Sequence, residues 1–327
     1  MICILPDYIT PYENLACEYY FATECDLGGD VFMLWRNEPS VIVGKYQNTL
    51  EEVNLDYTSA HGIHVARRMS GGGTVYHDLG GWQFTFITRD AGESIEFERF
   101  MQPITDALRS MGLDVRATGR NDIALYPAGS ERGYKISGNT QYKKNGVTVH
   151  HGTLLFDTDI DEMVRATTPK EYKITSKSIK SVRERVTNIR PHLPEDMTDV
   201  QFRDTLAARM TDRMYTLTEE NRGRIRELAE TKFADTKWNF GANPKFEIEH
   251  ELHLAGGTLE LGLTVKNGVI QSAGIRGDFF AGESAEALAA KLAGTEYTKD
   301  AMTTVLRDIC ESLYGIAAED VVKEIFG

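Results

Sequence analysis

The stretch RRMSGGGTVYHDLGGWQFTFI, Arg67 to Ile87, sets a glycine-dense turn between two segments that read as strands. Gly71, Gly72 and Gly73 reach dihedrals closed to other residues, so successive amide N–H groups can converge on an anion without a side chain intervening. Arg67 and Arg68 add cations before the turn, and Ser70 adds a hydroxyl. The following VYHDLGGWQFTFI alternates as a half-buried strand does. A phosphate or carboxylate site is the reading that follows.

The rest of the chain supports a mixed sheet flanked by helices, an α/β (α+β) fold. VFMLWRNEPSVIVGKYQN reads as two strands joined by NEPS and followed by a tight turn at Gly44. The Arg67 region supplies the next hairpin. FERFMQPITDALRSMG has helical spacing and a stop at Gly112. GRNDIALYP and HHGTLLFDT read as strands, with KISGNTQYKKNG as a turn-rich connection. From Thr198 to Leu228 the pattern is helical and charged, and Gly241 with Pro244 then breaks it. The 327 residues suit about two domains, expected at 1–243 and 244–327. In the second, FEIEHELHL and LELGLTVKNGVIQSAGI read as strands with a hairpin turn at Asn267 and Gly268, and two amphipathic helices follow.

A net charge of −13 argues against non-specific nucleic acid binding, which needs a cationic surface. No run approaches the roughly 18 apolar residues of a membrane helix. MICILPDYIT lacks the basic region and cleavage site of a signal peptide, so a cytoplasmic protein is expected, with monomer as the default state. Cys3, Cys17, Cys25 and Cys310 show no metal-ligand spacing and read as buried thiols. Between Arg165 and Arg190 eight Lys or Arg face only Glu171 and Glu184, either a solvated loop or a surface for an acidic partner or polyphosphate.

Lys135 in KISG stands between two strands, where its ammonium can be held over a site. Asp122, at a strand start, can orient Mg²⁺ or a lysine, or simply cap a turn. His150 and His151 cannot face the same side of a strand, so one points into the site. His77 beside Asp78 reads as a hydrogen-bonded structural histidine, and His61 and His64 as surface residues. No Walker A lysine, GxGxxG helix opening or GxSxG elbow is present.

Taken in order, RRMSGGGTVYHD, GRNDI, KISGNTQY, HHGTLLFDTD, KSVRERVTNI and WNFG closely resemble the motif series of the lipoate-protein ligase A family. The resemblance implies a catalytic domain of the biotin and lipoate ligase superfamily, class II aminoacyl-tRNA synthetase-like, with a small α+β accessory domain. It also implies ATP and Mg²⁺ as cofactors and lipoate as substrate. Lipoate is activated to lipoyl-AMP and transferred to a lysine of a lipoyl domain of a 2-oxoacid dehydrogenase E2 subunit or of glycine-cleavage H protein. By position, Arg68, Gly73, Thr74, Val75 and Tyr76 resemble the nucleotide-contacting segment, and Lys135 the lysine that contacts both ATP and lipoate. Ser70, Gly72, His77, Gly138 and His151 complete the expected binding set. Asp122 is expected to hold the metal or align the incoming amine, and Trp35 or Val43 to line the acyl slot. Gly81 stands where Asn is common, and Asn139 where a small residue often follows Gly138.

Two other readings compete. Octanoyl and lipoyl transferases of this fold use a cysteine thioester, but Thr148 stands where their cysteine falls, three residues before the histidine of HG, leaving only Cys17 or Cys25. A non-catalytic module that binds an adenylate or carrier would not need Lys135, Arg68, Asp122 and the glycine turn together. Biotin ligase shares the chemistry and differs in its glycine motif.

Overall fold

The computed structural model describes residues 1–89, 95–168, 182–240, 248–266 and 268–326. Its centre is an eight-stranded mixed sheet. The strands are β1 (Ile2–Ile4), β2 (Val31–Trp35), β6 (Gly81–Thr88), β7 (Val115–Thr118), β8 (Asp122–Leu125), β9 (Tyr134–Lys144), β10 (Val147–Leu155) and β11 (Met214–Tyr215). They run in the order β11-β1-β2-β6-β10-β9-β8-β7.

Both faces of this sheet are covered, which follows from side chains alternating across a strand. On β2 and β6, Phe32, Leu34, Trp82, Phe84 and Phe86 pack under the helices Phe97–Ser110 and Asp199–Met210. Val31, Met33, Trp35 and Ile87 face the other way, toward the helices Pro11–Thr23 and Glu219–Leu228. The first of those helices is started by Thr10, whose hydroxyl accepts the Glu13 N–H, and by Pro11 at its first position.

Three expectations are corrected. VYHDLGGWQFTFI is two strands in two sheets, because Asp78 closes a turn: its carboxylate accepts the Gly80 N–H and its carbonyl the Gly81 N–H. The second of these strands, β6, is buried along its whole length, not half-buried. The Arg67 region is not a hairpin: β3 (Ser40–Val43) lies between β4 (His64–Arg67) and β5 (Val75–His77), parallel to one and antiparallel to the other. KISGNTQYKK is a full strand, β9, paired with β8 and β10. Its polar composition suggests a turn, but Ser137, Asn139, Thr140 and Gln141 are all buried, and the ladders on both sides satisfy its backbone.

The C-terminal part contains a second sheet of β12 (Ile248–Leu254), β13 (Gly257–Lys266) and β14 (Val269–Gly277), backed by the helices Ala285–Ala290, Lys299–Glu311 and Ala318–Phe326. The last helix was not anticipated. The module has its own core, with Leu261, Leu263, Ile270, Phe279, Leu288 and Leu306 among its members. The expected domain boundary at 243/244, turn residue Asn267, and residues 169–181 of the basic tract between Arg165 and Arg190 lie outside the described residues. All four cysteines are free thiols, with Cys25 half-buried and the others buried. No helix among the described residues is long and apolar enough to cross a membrane.

Candidate active site

Two adjoining cavities lie against the sheet face that carries Trp35 and His151. The first, about 130 Å³, is lined by apolar Leu15, Trp35, Ile42 and Val75, by Arg68, Gly72, Gly73, Thr74 and His77, and by polar residues of β9 and β10. The second, about 570 Å³, is lined by Tyr76, Asp122, Arg185 and Val186 among others. Thr74, Val75, Lys135, Gly138 and Thr153 belong to both walls. Lys135 therefore stands at the junction.

Strand geometry places that lysine. Its backbone N–H donates to the Arg185 carbonyl and its carbonyl accepts from Thr187 N–H, so the 182–187 segment pins it from outside the sheet. Its ammonium lies 2.8 Å from Asp122 Oδ1. Asn121 and Asn139 clasp each other: Asn121 Nδ2 donates to the Asn139 carbonyl at 2.6 Å, and Asn139 Nδ2 to the Asn121 carbonyl at 3.1 Å. The turn that presents Asp122 is thereby fastened beside Gly138. Asn139, the departure from the usual pattern, has this structural use.

The glycine turn is held differently from the expectation. Arg68 is buried, and its guanidinium donates to the carbonyls of Ile42, Gly71 and Gly73 and to Ser70 Oγ. Arg67 donates to the carbonyls of Gly44, Lys45, Gln47, Trp238 and Asn239. Both arginines thus hold main-chain carbonyls in place, and burial pulls each pKa down to about 10. Gly72, at φ +84°, donates its N–H to the Phe279 carbonyl of the C-terminal module at 3.1 Å. That amide is engaged by protein, not left open as an anion donor. Gly73 faces space, where an added Cβ would meet only Asp278 Oδ2 at 4.0 Å.

His150 and His151 point to opposite faces, as strand alternation requires. His150 is enclosed by Phe84, Phe86, Phe97 and Phe100. His151 lines the first cavity. Its Nδ1 lies 2.6 Å from Glu18 Oε2 and its Nε2 2.8 Å from Ser70 Oγ. Ser70 Oγ also accepts from Arg68 Nε, so the hydroxyl links the arginine to the Nε2 end of the ring while Glu18 takes the Nδ1 end. Glu18 also accepts from Thr85 Oγ1, which accepts from Trp35 Nε1. This buried chain runs along the cavity floor. Ser70 belongs to it without lining either cavity.

His77 also lines the first cavity, with Nδ1 3.0 Å from Asn37 Nδ2. Burial, then the Arg68 charge, holds its pKa down at about 3, so the ring is neutral, accepts from Asn37 and carries its proton on Nε2. That Nε2 and Gln83 Oε1 are buried without a hydrogen-bond partner, polar atoms that a cavity ligand can satisfy. Val43 packs with Val41, Val53 and Ile63 away from both cavities. Its neighbour Ile42 lines the slot instead, one step along the strand. Tyr76 reaches Glu162 with its hydroxyl at 3.2 Å and lines only the second cavity.

Asp122 offers a half-exposed carboxylate with one oxygen on Lys135. Among the described residues no group of three His, Cys, Asp or Glu could hold a metal ion. This donor set fits a Mg²⁺ ion that arrives with phosphate oxygens and water in its shell.

Sequence reading missed Glu18, Leu15, Gln83, Asn121, Thr140 and Thr153. Glu18 carried a signal, a carboxylate within the apolar run of a helix.

Residues 10–211 match the family described as the lipoyl protein ligase A/B catalytic domain, and residues 243–325 the bacterial lipoate protein ligase C-terminus. Lipoate-protein ligase LplJ of Bacillus subtilis is 38% identical over 97% of this chain and 97% of its own. A bi-partite lipoate protein ligase of Thermoplasma acidophilum, studied with its E2 lipoyl domain, is 29% identical, with a TM-score of 0.66 over 76% of this chain and 98% of that one. Lipoate-protein ligase A bound with ATP is 27% identical, with a TM-score of 0.59 over 74% of this chain and 99% of that one. With the site's geometry and both parts of the chain matched in order, this protein belongs to the lipoate-protein ligase family.

Proposed function

We propose that this chain activates lipoate with ATP and transfers the lipoyl group to a lysine of an acceptor lipoyl domain. The observation that carries the reading is the place of Lys135, on the wall common to an apolar slot and a larger cavity. The acyl chain occupies the first, over Trp35, Leu15 and Ile42, and the nucleotide the second. The carboxylate and the α-phosphate then meet at the lysine.

Two anions repel, so activation needs fixed positive charge and in-line placement. A lipoate carboxylate oxygen attacks the α-phosphorus, and the bond to the β-phosphate oxygen breaks, releasing pyrophosphate. In transfer, the acceptor amine attacks the acyl carbon, the bond to AMP breaks and the amine loses a proton. Negative charge grows first around the α-phosphate and then on the acyl oxygen. Lys135 Nζ reaches both positions from one place. Arg68 contributes its field from below, since its hydrogen bonds are spent on the turn.

Asp122 would hold Mg²⁺ when the ion comes with ATP, where it would offset phosphate charge. Without the ion the carboxylate orients Lys135. Arg185 lines the nucleotide cavity and its carbonyl fixes Lys135, which favours closure over the nucleotide as the use of this segment. Arg183 pairs with Asp161. The C-terminal module sits on the glycine turn through Phe279, and we assign it a change of seat between activation and transfer.

The thioester alternative finds no support in the geometry: Cys17 is wholly buried, and burial pushes its thiol pKa far up. The deciding assay is lipoate-dependent pyrophosphate release, followed by mass gain of one lipoyl group on an acceptor domain. Acyl-CoA-dependent transfer without ATP would favour the alternative.

A further inference from the structure

Arg120, on the Asp122 turn, reaches the C-terminal module. It follows β7 and precedes Asn121 and Asp122, and its guanidinium lies 4.7 Å from the ring centre of Phe280. Its Nη1 is buried with no hydrogen-bond partner. Asp278 is close: a Cβ added at Gly257 would stand 3.1 Å from Arg120 Nη1 and 2.7 Å from Asp278 Oδ1. That carboxylate oxygen is occupied by the Thr258 N–H. Burial pulls the Arg120 pKa down, and the negative charges of Asp278 and Asp122 both act against that pull. Asp122 is meanwhile engaged by Lys135 at 2.8 Å.

These four groups form an alternating series: Asp278 on the C-terminal module, Arg120, Asp122, then Lys135. A cation between two carboxylates goes to whichever is better placed. With the module seated, the Phe280 ring covers the guanidinium and the Asp278 charge attracts it, and Asp122 is left to the lysine. With the module displaced, both holds on Arg120 are lost at once. The uncovered guanidinium then has Asp122, two residues away on the same turn, as the carboxylate that stays beside it.

We propose that Arg120 is a positioning residue that couples the seat of the C-terminal module to the reactive lysine, by competing with Lys135 for Asp122. A seated module keeps Lys135 tied to Asp122; a displaced module gives Asp122 to Arg120 and frees the Lys135 ammonium for the anionic substrate. The glycine turn shares the same dependence, because Gly72 N–H donates to the neighbouring Phe279 carbonyl. The inference deepens the ligase reading and takes from it the importance of Lys135.

The test is a cycle of four full-length chains, with and without Asp278→Asn and Arg120→Gln. Each is treated briefly with an amine-directed acylating reagent, and modification at Lys135 is read by peptide mass spectrometry. Asp278→Asn alone is expected to raise Lys135 modification several-fold, and to do nothing in the Arg120→Gln background. An equal rise in both backgrounds, or none in either, overturns the coupling. Arg120→Lys keeps a cation and should restore part of the response, which a merely structural arginine would not predict. If Arg120→Gln does not fold, the same comparison in the Arg120→Lys background decides, with an undiminished response counting against the proposal. Labelling needs no turnover. A wild-type chain that releases no pyrophosphate would remove the ligase reading, while the labelling pattern would still decide the coupling.

Discussion

Gly138 lies directly beneath the Lys135 ammonium: a Cβ at position 138 would stand 3.1 Å from Lys135 Nζ and 3.2 Å from Cε. The obstacle would be the far end of a flexible side chain, so Gly138→Ala can be accommodated, but only by moving that end. We expect the variant to fold with a stability change within about 1 kcal/mol, the usual range for a substitution with no buried defect. Adenylation should fall by about tenfold or more, as misplacing a reacting group predicts. Thermal melting and steady-state pyrophosphate release, measured together, separate the two effects.

Glu18 accepts hydrogen bonds from both His151 and Thr85 in a buried setting. Removing the carboxylate leaves two buried polar groups unsatisfied, each worth roughly 1–3 kcal/mol. Glu18→Ala should therefore lose about 2–6 kcal/mol in urea unfolding, and Glu18→Gln clearly less. Equal losses in both variants would show that the acceptor geometry is not what matters.

Acid should destabilise this protein through its buried histidines. His77 is held at about 3, below its ordinary 6.5, and His150 is also held well below that value, both chiefly by burial. In the unfolded chain both protonate near 6.5, so below that pH the unfolded state binds more protons. Stability is complete above about pH 6.5 and declines as pH falls toward the folded values, at up to roughly 1.4 kcal/mol per pH unit for each histidine. A His77→Gln variant should show a shallower decline between pH 6.5 and 5 in chemical unfolding, whatever its stability at pH 7.5.

Cysteine chemistry is predicted to be dispensable. Cys17 packs in the core beside Leu15 and Phe21, and Cys25 is half-buried beyond the end of that helix. The Cys17→Ala, Cys25→Ala double variant should keep pyrophosphate release and lipoyl transfer within about threefold, since it touches no reacting group. Loss of transfer alone, with adenylation intact, would revive a thioester route.

Much of this site was legible because strand alternation and glycine placement are local rules. They separated His150 from His151 and marked the turn from Gly71 to Gly73. What they could not supply was the pairing. Ser137 to Gln141 carry turn-like composition, yet two neighbouring strands make them sheet. Nothing local shows that β3 lies between β4 and β5, so Arg67 and Arg68 read as anion ligands when they hold carbonyls. Val43 and Ile42 differ by one residue, and only the small sheet's orientation decides which faces the slot. Glu18 and Arg120 gain their meaning from partners 133 and 158 residues away, His151 and Asp278.

The most direct measurement is pyrophosphate release from ATP and Mg²⁺ with lipoate, and with octanoate and biotin in parallel, for the wild type and Lys135→Ala. Removing a donor placed against charge that develops in the transition state costs on the order of 100-fold to 1000-fold. The account predicts release that depends on lipoate and falls by at least that range in Lys135→Ala, with Asp122→Asn intermediate. Near-native release by Lys135→Ala would contradict it, because among the described residues no other cation stands on the wall that both cavities share.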